Sequence, residues 1–214
     1  MEILENIKKF IKNPQKIVFN TMFSVLITFL FAIYNLFLGI RYSDSWGISI
    51  AIYYLCLIVA RLSFLIVEKK IRKNEKVLKE EIRRKTYIYL SIFMFFIDFC
   101  LIAPITLMII HPKDVYFGLI PSIAVAAYTT YKITIAIINY VKVKKYNNIM
   151  FKFVRELSVI DAFVSILTLQ HTLIMVNGGM TAQMLKLSSA TSFIILLAII
   201  IFSIVSMKKT IKNT

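Results

Sequence analysis

The chain is short of the residues from which most catalytic and metal centres are assembled. Its 214 residues include two histidines, two cysteines, five glycines, four prolines and eleven acids. Cys56 and Cys100 both lie within apolar runs, too few and too greasy in setting for a disulfide framework or a thiolate metal site. They read as small core residues. His111 and His171 stand 60 positions apart, so there is no H-E-x-x-H helix. Nor is there a Gly-rich phosphate loop or a nucleophile elbow. An intramembrane protease would need a Ser–His or an Asp–Asp pair, and Asp98 and Asp161 lie at different expected depths. The expectation is a protein that is not an enzyme and needs no cofactor.

What the chain has is apolar length. Hydrophobic residues make up 59% of it and the mean hydropathy is +0.77, against roughly 45–50% apolar residues in an ordinary soluble domain. The apolar runs reach spanning length, roughly 20 residues. Six can be counted, at about 17–40, 47–67, 87–110, 117–140, 157–176 and 189–207. The fold class expected is all-α: a polytopic membrane protein of six transmembrane helices arranged as three hairpins. The bundle occupies 17–207 and is followed by a tail, 208–214.

The net charge of +15 would suggest nucleic acid in a soluble protein, but 21 of the 26 bases fall in four clusters at alternate ends of the runs. That is the pattern of insertion into a bilayer, and it argues against nucleic-acid binding. The clusters are Lys8, Lys9, Lys12 and Lys16; nine bases in 68–86; five in 141–156; and Lys208, Lys209 and Lys212. The other loops hold only Arg41, Lys113 and Lys186. Counting bases puts both termini in the cytoplasm, at the plasma membrane. Trp46, Tyr42 and Tyr116 then mark the outer interface, and Tyr87, Tyr89, Tyr140 and Tyr146 the inner one.

Residues 1–16 place Ile3, Leu4, Ile7, Phe10 and Ile11 on one helical face, closed by Pro14. This reads as a helix lying on the membrane surface rather than as a signal peptide. The connection 68–86 has no Gly or Pro, and pairs Glu68–Arg72, Glu75–Lys79, Glu80–Arg84 and Glu81–Lys85 at helical spacing. A basic helical connection is expected there, attracting anionic lipid head groups at about 1 kcal/mol per base. Two stretches, 44–61 and 114–132, share an Asp-x-aromatic start, a glycine, tyrosines and a closing base, Arg61 or Lys132. That likeness suggests a parallel repeat.

Setting histidine aside, four ionisable groups fall within the spans: Arg61, Asp98, Lys132 and Asp161. An isolated charge at a helix centre costs about 2.5–3.5 kcal/mol even on the lenient insertion scale. Pairing is therefore expected, Lys132 with Asp161 and Arg61 with Asp98. Ser158, Asp161, Ser165, Thr168 and Thr172 form one stripe down span five. Span one carries Asn20, Ser24, Thr28 and Asn35; span four carries Tyr128, Thr129, Lys132 and Asn139. Such stripes serve either as interhelical hydrogen bonds or as a hydrated path, and the residue pattern alone does not separate the two. Pro104 should kink span three in its outer half.

Two functional readings follow. The first is a small solute or ion transporter, or a channel-like subunit, with a charged polar interior. The second is a non-catalytic scaffold or regulatory partner of another membrane subunit, acting through the basic cytoplasmic face. The heavy use of Lys, Ile and Asn suggests an AT-rich bacterial genome.

Overall fold

The computed structural model describes residues 14–71, 76–110, 119–143, 149–177 and 181–212, which are helical apart from short turns, with no strand among them. In chain order the helices are α1 (Pro14–Tyr42), α2 (Ser45–Ile71), α3 (Lys76–Cys100), α4 (Ile102–Ile110), α5 (Leu119–Val143), α6 (Ile149–Val176) and α7 (Ala182–Lys212). Six stretches of 23 to 30 residues are long and apolar enough to cross a bilayer, with α3 and α4 sharing one of them.

The surface is apolar, and polar groups lie inside among apolar ones. Phe19, Leu30 and Phe37 of α1, Ile120 and Ile123 of α5, and Ile194 and Ile201 of α7 all face outward. Thr28, Asp98, Lys132, Asp161, Ser165 and Thr168 are buried. That inversion is stable where the surroundings are hydrocarbon and every polar group must find its partner inside. The chain is a multi-pass membrane protein.

The helices overrun the expected spans. Residues 14–16, expected to close a surface helix, open α1 instead, because a proline at the first helical position gives up an N–H that has no partner there anyway. The remainder of that segment, 1–13, lies outside the described residues. Span six starts at Ala182 rather than 189, since Thr181 caps it: its Oγ1 accepts from the Met184 N–H at 3.3 Å, and its carbonyl from the Leu185 N–H at 2.8 Å. The basic connection lengthens α2 to Ile71 and starts α3 at Lys76, with 72–75 outside the described residues. Glu81 and Lys85 pair at 2.7 Å, whereas Glu68 takes Arg83 of α3 at 3.0 Å. Arg72, its expected partner, lies among the residues not described.

Span three is interrupted at Leu101, three residues before Pro104. The proline ring excludes the carbonyl four residues back, at Cys100, and offers it no N–H. The chain answers with a tighter turn, the Leu101 N–H reaching the Asp98 carbonyl at 3.2 Å. This places Asp98 at the end of α3, one turn before the break.

α6 touches α2, α3, α5 and α7. Tyr54, Leu57 and Phe64 of α2, Met94 and Ile97 of α3, Leu157, Ile160 and Val164 of α6, and Ile199 of α7 make the apolar core around it. The two most extensive contacts join α1 to α2 and α5 to α6. The expected hairpin of spans three and four is not a packed pair among the described residues; α5 lies along α6 instead, and α3 and α4 lie against α2 and α7. Loop length alone could not show this.

The α1–α2 corner is tight. Ser43 adopts a φ of 52°, while the Asp44 N–H reaches the Gly39 carbonyl at 2.8 Å and the Ser43 N–H reaches that of Ile40 at 3.3 Å. These are the two bonds of a Schellman ending. Gly39 is obligatory here for a different reason: a Cβ on it would lie 2.7 Å from the backbone nitrogen of Ile48. Gly39→Ala should therefore cost about 1–3 kcal/mol, read as a lower thermal midpoint in detergent by the fluorescence of Trp46, the single tryptophan, buried at the same corner.

Candidate functional site

Four helices send one polar group each to a common point near the middle of the bundle. Asp161 of α6 is 0% exposed, Lys132 of α5 2% and Arg61 of α2 4%. Both cations meet the same carboxylate oxygen: Arg61 Nη2 and Lys132 Nζ each lie 2.5 Å from Asp161 Oδ2. Thr28 of α1 completes the cluster. Its Oγ1 accepts from Arg61 Nη1 at 2.7 Å and from Lys132 Nζ at 2.6 Å, and donates to the Ser24 carbonyl at 2.7 Å. One hydroxyl thus uses its single proton and both lone pairs.

Aromatic rings close the cluster. Lys132 Nζ lies 5.0 Å from the centre of the Tyr128 ring, within cation–π range. Tyr128 stacks on Phe31 of α1 at 3.5 Å between ring centres, and Tyr54 of α2 meets both rings edge-on. Two basic side chains thus share one carboxylate in a low-dielectric interior. The second carboxylate oxygen, Oδ1, is buried with no hydrogen-bond partner among the described residues.

Lys132 meets Asp161, as the charge count in the spans implied, but Arg61 does not meet Asp98. The reason is depth and direction. Arg61 and Lys132 descend on α2 and α5 to the level of Asp161, whereas Asp98 sits beside Tyr53, two helical turns from Arg61 along α2. The Tyr53 hydroxyl donates to Asp98 Oδ1 at 3.4 Å. The two bases that close the candidate repeat thus converge on one carboxylate; Asp114, which would open its second copy, lies outside the described residues.

The polar stripe of α6 is buried along its length, and its hydroxyls are largely committed to their own helix. Ser158 Oγ donates to the Val154 carbonyl, Ser165 to Ala162, Thr168 to Val164 and Thr172 to Thr168. Two bonds cross to α5: Asn139 Nδ2 donates to Ser158 Oγ at 2.8 Å, and Thr129 Oγ1 to the Ser165 carbonyl at 3.0 Å. Asn139, Thr129, Lys132 and Tyr128 therefore share one face of α5, turned toward α6 and the charge cluster.

Two further polar centres flank the cluster. At one end Glu156 is buried, receiving the Tyr87 hydroxyl at 3.0 Å to each oxygen and a bond from Ser206 of α7. The residue pattern missed it because it borders the basic connection and counts there as a surface acid; the apolar residues on both sides of it, in "FVRELSVID", are the available signal. At the other end Asp44 caps α2, its oxygens accepting from the Trp46 N–H at 3.2 Å and the Gly47 N–H at 3.1 Å. His171 of α6 stacks on Trp46 and lies 3.2 Å from Asp44 Oδ2 through Nε2, which must carry the proton because a carboxylate only accepts.

Burial pushes the Asp44 carboxyl up, but the bond and charge of His171 and the two backbone N–H groups outweigh it, so Asp44 is held below the usual carboxylate range. Its folded value lies below its unfolded one. The resulting stability is complete above the usual range and is lost as pH falls through the lower, folded value. Asp44→Ala should cost about 2 kcal/mol at neutral pH through the lost cap and the stranded imidazole. In acid unfolding scans, the gap between wild type and variant should narrow only below the ordinary carboxylate range.

The charge cluster makes a sharper prediction. Breaking a buried pair costs about 3–5 kcal/mol. Asp161→Asn strands two cations and should lie at or above the top of that range; Lys132→Met leaves Asp161 its arginine and should lie at the bottom. The double variant should be less destabilised than the sum of the two. Thermal unfolding of the four proteins in detergent measures this. A lysine variant costlier than the asparagine variant would overturn the shared-carboxylate geometry.

No protein-family model and no curated protein matches the chain.

Proposed function

We propose that the chain is a small solute or ion transporter, or a channel-like subunit, of the plasma membrane, with both termini in the cytoplasm and the charge cluster as its working element. The single observation that carries this reading is the sharing of Asp161 by two cations from two differently packed helix pairs. Lys132 comes from α5, which lies along α6; Arg61 comes from α2, which lies along α1. Asp161 thus has one counter-cation within its own pair and a second across the boundary to the other.

Such a carboxylate stays neutralised if the pairs part, because Lys132 travels with it. Arg61 then keeps the neutral Thr28 hydroxyl and Ser24 carbonyl of α1, and a solute anion is the group that offsets its charge. Stability alone gives a weak account of the cluster, since well-packed apolar residues often serve as well as a buried ion pair. Ionisable groups deep in a membrane protein are by default functional candidates. The orientation rests on the base count, with 21 of 26 Lys and Arg in the N-terminal, 68–86, 141–156 and C-terminal clusters.

Transport requires water to reach the interior in at least one state. In a background free of Cys56 and Cys100, Ser165→Cys and Thr168→Cys should react with a membrane-impermeant thiol reagent in native membranes. Arg61→Gln should change that reactivity severalfold by altering how the helix pairs part. Proteoliposomes should likewise pass small monovalent anions faster than empty vesicles, and the Arg61 variant should lose at least tenfold of that flux. Two inert cysteines in a folded protein, with no flux above empty vesicles, would remove the reading and leave the scaffold role.

A further inference from the structure

A groove of about 330 Å³ runs between α5 and α6 on the face turned away from the charge cluster. It is lined by Ile133, Ala136, Ile137 and Tyr140 on one side and by Val159, Ala162, Phe163 and Ile166 on the other. Between Ile133 and Tyr140 it follows α5 for about 10 Å, at 1.5 Å per residue. Ala136 and Ala162 supply the depth, since their small side chains let the walls recede. It is open to the surrounding hydrocarbon and apolar throughout, which suits a hydrocarbon chain.

One end of the groove is different. Tyr140 forms it, and the Arg155 guanidinium lies over the Tyr140 ring at 5.3 Å. Arg155 is one helical turn from Val159, so it stands at the Tyr140 end of the groove, one turn inside the start of the apolar span at Phe151. Its Nε is buried with no hydrogen-bond partner, and the side chain makes no salt bridge among the described residues. The side chain as a whole is only half-buried, and a guanidinium held in place by a ring with part of its fork still exposed is suited to a phosphate. In the sequence, 141–156 carries four more bases, a composition that favours anionic lipid.

We infer that this groove is a binding site for one anionic phospholipid, with an acyl chain between α5 and α6 and the phosphate on Arg155. The site backs onto the Lys132–Asp161 segment, since Ile133 and Ala162 line it, but it does not depend on what the charge cluster does. Charge complementarity selects the lipid: a zwitterionic head group presents its own cation beside the phosphate and gains less from a lone arginine.

The test uses the full chain in detergent with two probes, phosphatidylglycerol and phosphatidylcholine, each carrying a photoreactive group on the same acyl chain. Crosslinks should concentrate in 133–141 and 159–166, and phosphatidylglycerol should be retained about fivefold better, the ratio expected of one basic contact near the surface. Arg155→Gln should abolish that ratio and Arg155→Lys should keep most of it. Ile137→Trp, filling the groove from its exposed side, should reduce crosslinking by both lipids. The wild-type crosslink map needs no variant to fold. Crosslinks spread evenly onto other lipid-facing residues such as Phe29 and Ile194 would overturn the site, as would equal retention of the two lipids or a preference that survives Arg155→Gln. Disulfide dimers through Ile137→Cys that block labelling would assign the groove to a second copy of the chain, and would overturn it too.

Discussion

One oxygen of one carboxylate holds the polar interior together. Asp161 Oδ2 accepts both Arg61 and Lys132, and with Thr28 it ties α1, α2, α5 and α6 to a single point. In hydrocarbon no water can substitute for a missing partner, so each of these groups depends on the others being in place. α1 and α5 depend on it most, because each packs extensively against one neighbour only. The polar cluster and the Phe31–Tyr128 stack bring these two outer helices together.

The remaining polar centres follow the same rule at smaller scale. Asp98 takes the Tyr53 hydroxyl, Glu156 takes Tyr87 and Ser206, Glu68 takes Arg83, and Asp44 takes a helix end and His171. Each joins two helices, and the Glu156 and Asp44 centres join helices distant in sequence, so each also fixes rotation and depth, which apolar contacts against lipid-like neighbours specify poorly. Among the described residues, the Asp161 centre is where two basic side chains from separately packed helix pairs bond to one carboxylate oxygen. That sharing is the physical basis for assigning it a role beyond assembly.

Much of the architecture was legible in the sequence. Six apolar runs, four basic clusters and the burial of Lys132 and Asp161 follow from the cost of placing charge in hydrocarbon, which depends on residue type and position in a run. Helix ends were less legible. Thr181 and Asp44 cap helices through local bonds whose geometry the apolar pattern does not report, and Glu156 was hidden by the basic segment beside it. The Arg61 partner was not legible in the sequence, because counting charges gives the number of pairs and says nothing of who faces whom. The Gly39–Ile48 approach was equally silent, since a glycine in an apolar run looks the same whether or not a backbone passes close by.

By itself the sequence determined a multi-pass helical membrane protein and the list of groups that must be satisfied inside it. Hydropathy acts on each segment separately, so segments alone suffice to settle that much. The tertiary structure decided the pairing: α5 along α6 rather than along span three, both cations on Asp161 rather than one on Asp98, and an arginine with no salt bridge among the described residues beside an apolar groove. Those outcomes depend on helix rotation and depth relative to neighbours, and these are set only when all the helices pack together.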